Sequence, residues 1–209
     1  MDELIVGNTY QNKSVRVLIP VRDVNAGNWM FFLRLANLAY PVCAPNNRLV
    51  VAGDEVGVAY TKLFELAQSQ SAGFALTLED DMLIEPNTLL RLMKVLDAHP
   101  ELAAVSALYY AKGAGAMPYI LGDPTKDGDF TPGNPTDGLV EVNGTGMGCM
   151  LWRMSMFADV RLKRPWFQTT DTSSQDIYFF RQARKLGYRF AVDCANRVGH
   201  LDVATGAVY

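Results

Sequence analysis

Between residues 14 and 99 a short β-branched or apolar run is followed three times by an amphipathic stretch, and this alternation constrains the fold more than any other feature. "SVRVLIPV" (14–21) reads as a buried strand stopped by a proline where a ligand loop can begin. The segment 28–39 carries apolar Phe32, Leu35, Ala36 and Ala39 at helical spacing. "RLVVAG" (48–53) repeats the strand pattern, and the helix expected over 56–70 has Val58, Leu63, Leu66 and Ala67 on one face. "GFALTL" (73–78) is a third strand, and Pro86 in a helix first turn opens "PNTLLRLMKVLDAH", with Leu89, Leu90, Met93 and Leu96 apolar. Alternation of this kind predicts βαβ units and an α/β, mostly parallel, doubly wound sheet with its ligand site beyond the carboxyl ends of the strands. Three loops then converge: the one after Val21, the one after Ala52, and "EDD" at 79–81.

After a fourth strand over 102–109 the character changes. Residues 113–138 are rich in Gly, Pro and Asp and predict a long irregular loop, a class that is often functional. Order returns at "LVEVNGTGMGCMLWRMSMF" (139–157), a strand, a glycine-rich turn and a second strand or short helix. The next helix has Ser173 and Ser174 as N-cap candidates and Gly187 as its stop, and "YRFAVD" leads through "CANRVGH" to a tail over 201–209. No internal repeat or linker divides the 209 residues, which predicts a single domain.

Composition excludes several classes. With 49% hydrophobic and 20% charged residues and no apolar run near the roughly 20 residues that span a bilayer, the sequence is that of a soluble protein. "MDELIVGNTYQNKS" lacks the basic and apolar regions of a secretory signal, so a cytoplasmic protein is expected. Cys43, Cys149 and Cys194 are odd in number and lack metal-type spacing, so they are expected to be small buried hydrophobes. The sequons at Asn12 and Asn143 matter only in a secreted chain, and Asn143 is expected to be packed. A net charge of −3 without a basic run leaves no footprint for nucleic acid, so an anionic ligand would need a local device such as a metal ion.

Glu79, Asp80 and Asp81 repel one another at the end of an apolar strand. On an extended segment Glu79 and Asp81 share a side and can approach one hard cation, while the plainer reading is a solvated turn that caps the next helix. His200 leaves a strand on the side where ligand loops gather, and imidazole suits Mn²⁺ better than Mg²⁺. His99, near a helix end, is expected to be structural. Asp176 falls in a helix first turn, where a carboxylate serves either to complement the helix dipole or as a rigidly held base. The glycines Gly144, Gly146 and Gly148 allow close backbone approach but do not form a phosphate-binding GxGxxG.

Taken in order, these pieces resemble a GT-A glycosyltransferase of the large family-2-like group, over about residues 15–200. "EDD" resembles the DxD motif, "NGTGMGCMLWRMSMF" the glycines before an apolar strand and short helix, and "SSQDIYFFRQARKLGYRFAVDCANRVGH" the late helix, Gly-Tyr and strand ending in a metal-binding histidine. The resemblance implies a metal-dependent transfer of sugar from a nucleotide-sugar donor to an acceptor hydroxyl. Asp81 and His200 would hold Mn²⁺ or Mg²⁺, and Glu79 and Asp80 would face the ribose or sugar. Pro20, Val21 and Arg22 would line the base and phosphate site, with Thr61 and Lys62 also contacting the nucleotide. Asp176 would be the base of an inverting enzyme, and Trp166 with Gly144, Thr145 and Gly146 would lie near the acceptor. The tail over 201–209 would close over the donor.

Three positions depart from that pattern. Glu79 replaces the commoner first Asp, Gln175 stands where Glu is usual, and "AGDEVG" lacks the "DDGS"-type sequence, leaving Asp54 as its substitute. A nucleotidyltransferase would open with a Gly-rich loop and lysine, and a metal phosphohydrolase with an Asp where Pro20 and Val21 stand. The remaining alternative is a catalytically silent nucleotide-sugar-binding or assembly module of the same fold.

Overall fold

The computed structural model describes residues 14–22, 29–39 and 47–209. Cys43, Asn12 and the N-terminal segment lie outside them. In chain order the elements are β1 (Val15–Val21), α1 (Trp29–Ala36), β2 (Arg48–Ala52), α2 (Val56–Ser69), β3 (Phe74–Leu78), β4 (Met82–Leu83), α3 (Thr88–Ala98), β5 (Leu102–Leu108), β6 (Leu139–Val142), β7 (Cys149–Arg153), α4 (Gln175–Lys185), β8 (Arg189–Arg197) and β9 (Gly199–His200). Among the described residues no helix is long and apolar enough to cross a membrane.

Seven strands form one sheet in the order β2-β1-β3-β7-β5-β8-β6. β1 pairs in parallel with β2 and β3, and β5 with β8, while β7 and β6 are antiparallel to their neighbours. Five strands therefore point one way and two the other, so the central sheet is mostly parallel. β7 is the departure from simple βαβ winding: it enters between β3 and β5 from the opposite end. Its residues alternate between the two cores, Met150 and Trp152 to one face and Cys149 and Leu151 to the other. A strand apolar on both sides can occupy the middle of a sheet covered on both faces.

One face is covered by α2 and α4, which bury Tyr60, Leu63, Phe64, Ala67, Phe179 and Phe180 around Trp152. The Trp152 indole N–H donates to Thr77 Oγ1 at 3.2 Å, so this buried polar group is satisfied. The other face is covered by α1 and α3, through Phe31, Leu35 and Leu38 and through Leu89, Leu92, Met93 and Leu96. The buried stripes differ from the expected ones. In α1, Phe31 and Leu35 are buried while Phe32 is 46% exposed. In α2, Val58 and Leu66 face outward, and Tyr60 and Phe64 join Leu63 in the core. In α2 the large aromatics Tyr60 and Phe64 take the interior because they remove more apolar area from water. In α1 two phenylalanines compete, and Phe31 is the one that shares a face with Leu35 and Leu38.

Other boundaries moved slightly. Pro86 precedes α3 instead of opening it, and the Thr88 hydroxyl accepts from Glu85 N–H at 3.0 Å across the turn. β8 continues past the expected end at Asp193 to Arg197. Cys149 and Cys194 are free and buried. The segment 113–138 holds no strand or helix; the buried Asn143 amide secures it by donating to the carbonyls of Asp123, Lys126 and Asp129 at 2.8, 2.9 and 2.8 Å. A packed sequon was expected, and the packing is with the loop.

The glycines of "NGTGMG" are required by proximity and not by backbone conformation, since none of the three has positive φ. A Cβ on Gly146 would stand 2.1 Å from Tyr109 Oη, and one on Gly148 would stand 2.9 Å from Met82 Sδ. The Tyr109 hydroxyl accepts from Gly148 N–H at 2.9 Å, so the ring cannot withdraw without leaving that amide unpaired. Gly146→Ala is accordingly expected to cost about 1–3 kcal/mol in a denaturant-unfolding measurement, as overpacking of a filled interior does.

Candidate functional site

A cleft of about 760 Å³ opens beyond the carboxyl ends of β1, β2 and β3, where the topology places a ligand site. It is lined by Pro20, Val21 and Arg22 after β1, by Asp54 and Glu55 after β2, and by all of the acidic triplet after β3. Lys112, Thr169, Gln175 and the tail residues Asp202, Val203 and Ala204 complete its wall. The triplet is a turn, with Met82 N–H donating to Glu79 carbonyl at 3.1 Å, and it is tied to the glycine turn by Glu79 N–H donating to Gly148 carbonyl at 2.9 Å. Carboxylates outnumber cations in this lining: Asp54, Glu55, Glu79, Asp80, Asp81 and Asp202 against Arg22 and Lys112.

Pairing of β4 with β9 sets Met82 opposite His200, and Leu201 N–H donates to Asp81 carbonyl at 2.8 Å. These bonds hold His200 beside Asp81 although 118 positions separate them in the chain. His200 Nδ1 lies 2.7 Å from Tyr110 carbonyl, which can only accept, so Nδ1 carries the proton. His200 Nε2 therefore faces Asp81 Oδ2, at 3.6 Å. For a neutral imidazole this sets a lone pair against a carboxylate, a contact that needs either a proton on Nε2 or a cation between them. Asp81 Oδ1 is buried with no hydrogen-bond partner, and Lys112 Nζ pairs with Oδ2. Burial raises the Asp81 carboxyl, but the His200 contact and the Lys112 ammonium outweigh it and hold the group below its ordinary value.

This donor set suits a divalent ion: one carboxylate with an orphan oxygen and one imidazole with its tautomer fixed by a backbone carbonyl. Among the described residues no three His, Cys, Asp or Glu side chains stand close enough to hold an ion by themselves. A cation at Asp81 and His200 would complete its coordination with ligand oxygens and water.

Glu79 lies deeper. Its Oε1 accepts from the buried Tyr60 hydroxyl at 2.8 Å, and burial, reinforced by the Asp81 charge and by Asp176, pushes its carboxyl up to about 7. Asp80 is also raised, by burial and then by Asp81. Asp176 heads α4; its Oδ1 accepts from Ile177 N–H at 2.8 Å and from the Ser174 hydroxyl, and burial raises its carboxyl. Ser174 is the N-cap residue, but its hydroxyl serves Asp176 and not a helix amide.

The cleft thus gathers Pro20, Val21, Arg22, Asp54, Glu79, Asp80 and Asp81, with His200 behind Asp81 and Asp176 one residue from Gln175. Other expected residues are not brought to it. Thr61 is absent from the wall, and Lys62 reaches it only through its ion pair with Asp54 at 2.8 Å. Gly144, Thr145 and Gly146 are buried beneath it, with Thr145 Oγ1–H donating to Tyr119 carbonyl at 2.6 Å. Trp166 is 2% exposed in the aromatic core, its ring centroid 5.0 Å from that of Phe157, so it faces no acceptor here. A tryptophan preceded by Pro165 and followed by Phe167 has enough apolar area to be buried wherever a core is near.

Sequence reasoning missed Lys112, Glu55 with Thr169, and Tyr60. Lys112 follows the exit of a predicted strand, the rule that located the other loops and could have located this one. Glu55 caps α2, its Oε2 accepting from Gly57 and Val58 N–H at 2.9 and 3.1 Å while Oε1 accepts from the Thr169 hydroxyl at 2.6 Å. Nothing in the sequence links Tyr60 to Glu79.

Strand order, the β7 insertion and the cleft at the carboxyl ends of the first three strands define a GT-A-type, Rossmann-like fold. The chain is similar to A197 from STIV, with a TM-score of 0.65 at 14% identity over 93% of this chain and 92% of that one. It is also similar to residues 1–349 of S. aureus TarS in complex with UDP-GlcNAc (TM-score 0.57, 15% identity, 88% of this chain) and with UDP (TM-score 0.56, 14% identity, 88%). The chain spans 57% and 59% of those two TarS chains. No protein-family model and no curated protein matches the sequence.

The Glu79 environment has a consequence for stability. Its carboxyl rises from 4.5 to about 7 in the fold, so in that window the folded chain binds a proton that the unfolded chain has lost. Stability should therefore fall as pH rises from about 4.5 to about 7. Glu79→Gln keeps an acceptor for Tyr60 and removes the charge. In metal-free denaturant titrations it should reduce that fall by on the order of 1–2 kcal/mol, less than the full shift because water enters the cleft.

Proposed function

We propose that this chain is a glycosyltransferase that binds a nucleoside-diphosphate sugar in the cleft and transfers the sugar to an acceptor hydroxyl with inversion. The observation that carries the reading is Asp81 with His200 across the β4–β9 pairing, one carboxylate oxygen buried and unpaired at the edge of the cleft. The bound UDP and UDP-GlcNAc in the similar TarS structures support a uridine donor as the first to test.

Asp81 and His200 would hold Mn²⁺ or Mg²⁺. Neutralising charge on the departing diphosphate as the bond to C1 breaks is what such a cation supplies when bound. The protein's own part begins with placement. Pro20, Val21, Arg22 and Asp54 line the side where base and phosphates would lie, and Glu79 and Asp80 the floor for ribose or sugar. Asp176, held by Ser174 and the Ile177 amide in the first turn of α4, would take the acceptor hydroxyl proton. Its raised carboxyl makes it a stronger base once ionised. Asp202, Val203 and Ala204 would close the donor side.

Both contacts to Asp176 fall on Oδ1, which leaves Oδ2 for the acceptor proton; the alternative is a silent nucleotide-sugar-binding module of the same fold.

Calorimetric titration of UDP-, GDP- and dTDP-sugars with and without Mn²⁺ tests the donor site. One nucleotide should bind in a metal-dependent way, and Asp81→Ala should weaken it at least about tenfold. Binding of none, in either condition, would sink the donor assignment. Asp176→Asn should lower turnover by about 10²–10⁴-fold with donor affinity unchanged. Donor binding without turnover in the native chain would instead favour the silent module. Deleting residues 202–209 should lower donor affinity, and unchanged affinity and turnover would remove the tail from the site.

A further inference from the structure

We propose that Lys112 is an exchangeable counter-ion: its ammonium holds Asp81 when no metal is bound, and moves to the donor diphosphate when a divalent ion takes Asp81. The inference rests on the donor reading above and adds a residue to it.

Lys112 Nζ is paired with Asp81 Oδ2, the oxygen that also faces His200 Nε2 at 3.6 Å. The ammonium therefore already occupies one edge of the place a metal would take. Two cations cannot share that carboxylate edge without strong repulsion, so metal binding and the Lys112 ion pair compete. Among the described residues lining the cleft, Arg22 is the other cation, against six carboxylates. An ammonium displaced from Asp81 and a diphosphate entering the same cleft are the natural partners for each other.

The local construction permits such a move. The backbone beside Lys112 is fixed: Ala111 N–H donates to Met117 carbonyl at 2.8 Å, and Tyr110 pairs with Pro118. Tyr110 carbonyl simultaneously sets the His200 tautomer. One short segment thus orients the imidazole through a rigid backbone contact and supplies the counter-ion through a flexible four-carbon stem. Gly113 and Gly115, with φ of +103° and +73°, turn the chain away directly afterwards, leaving the Lys112 side chain 32% exposed at the rim.

The test uses Mn²⁺ alone, UDP alone and UDP with Mn²⁺, titrated calorimetrically into the wild type, Lys112→Met and Lys112→Arg, with thermal melts to confirm folding. Lys112→Met should bind Mn²⁺ alone about five- to tenfold more tightly, because no ammonium must be displaced. At saturating Mn²⁺ the same variant should bind UDP about five- to tenfold more weakly, having lost a phosphate contact. Lys112→Arg, which keeps the charge, should stay near the wild type in both. Unchanged or weaker Mn²⁺ binding by Lys112→Met, or unchanged UDP binding, overturns the exchange. A wild type that binds UDP but no Mn²⁺ also overturns it while leaving the donor reading intact, and a wild type that binds neither overturns both.

Discussion

Two residues of β4 and two of β9 form a ribbon outside the main sheet, and the cleft depends on it. Antiparallel pairing fixes register, so once Met82 faces His200 the preceding Asp81 has a set distance to the imidazole. Leu201 N–H on Asp81 carbonyl and the reciprocal bonds between His200 and Tyr209 backbones extend the same ladder by a step on each side. The tail is thereby a wall of the cleft. Asp202 folds it back by accepting from Ala204 N–H at 3.0 Å and the Thr205 hydroxyl at 2.7 Å.

The second constraint is electrostatic. Three consecutive carboxyls end β3, and the structure gives each a different fate. Glu79 turns inward to the Tyr60 hydroxyl and is pushed up to about 7, Asp80 is raised by burial at the cleft wall, and Asp81 is held down by His200 and Lys112. Neighbours in the chain thus come to differ in proton affinity because burial and counter-charge are distributed unequally over a turn. A cleft so rich in carboxylates repels a diphosphate unless cations intervene, and this joins the acidic triplet, His200, Lys112 and Arg22 into one electrostatic unit.

Packing beneath the cleft is what makes that unit rigid. Tyr109 fills the space left by Gly146 and Gly148, accepts from the Gly148 amide, and meets the His200 ring edge-on at 5.5 Å between centroids. The glycine turn therefore supports the site from below. Its sequence resembles a ligand-contacting loop because both uses need glycine, one for approach of a ligand and the other for approach of a tyrosine.

Local sequence determined the strands and helices, because alternating apolar runs and helical spacing are short-range properties, and it determined which residues stand at the carboxyl ends of β1, β2 and β3. The convergence of the loops after β1 and β2 with the triplet 79–81 follows from that alone, while the resemblance singles out Pro20, Val21, Arg22 and Asp54, and all of them line the cleft. His200 was legible as a companion of the triplet from its place at a strand exit on the ligand side, and its pairing with Asp81 in particular came through the ordered resemblance. Tertiary structure decided the rest. It decided that β7 enters antiparallel between β3 and β5, which faces of α1 and α2 are buried, that Trp166 goes to the core, and that Lys112 meets Asp81. Each of these turns on competition for a shared interior or a shared charge, and the winner depends on neighbours that the chain brings together only when folded.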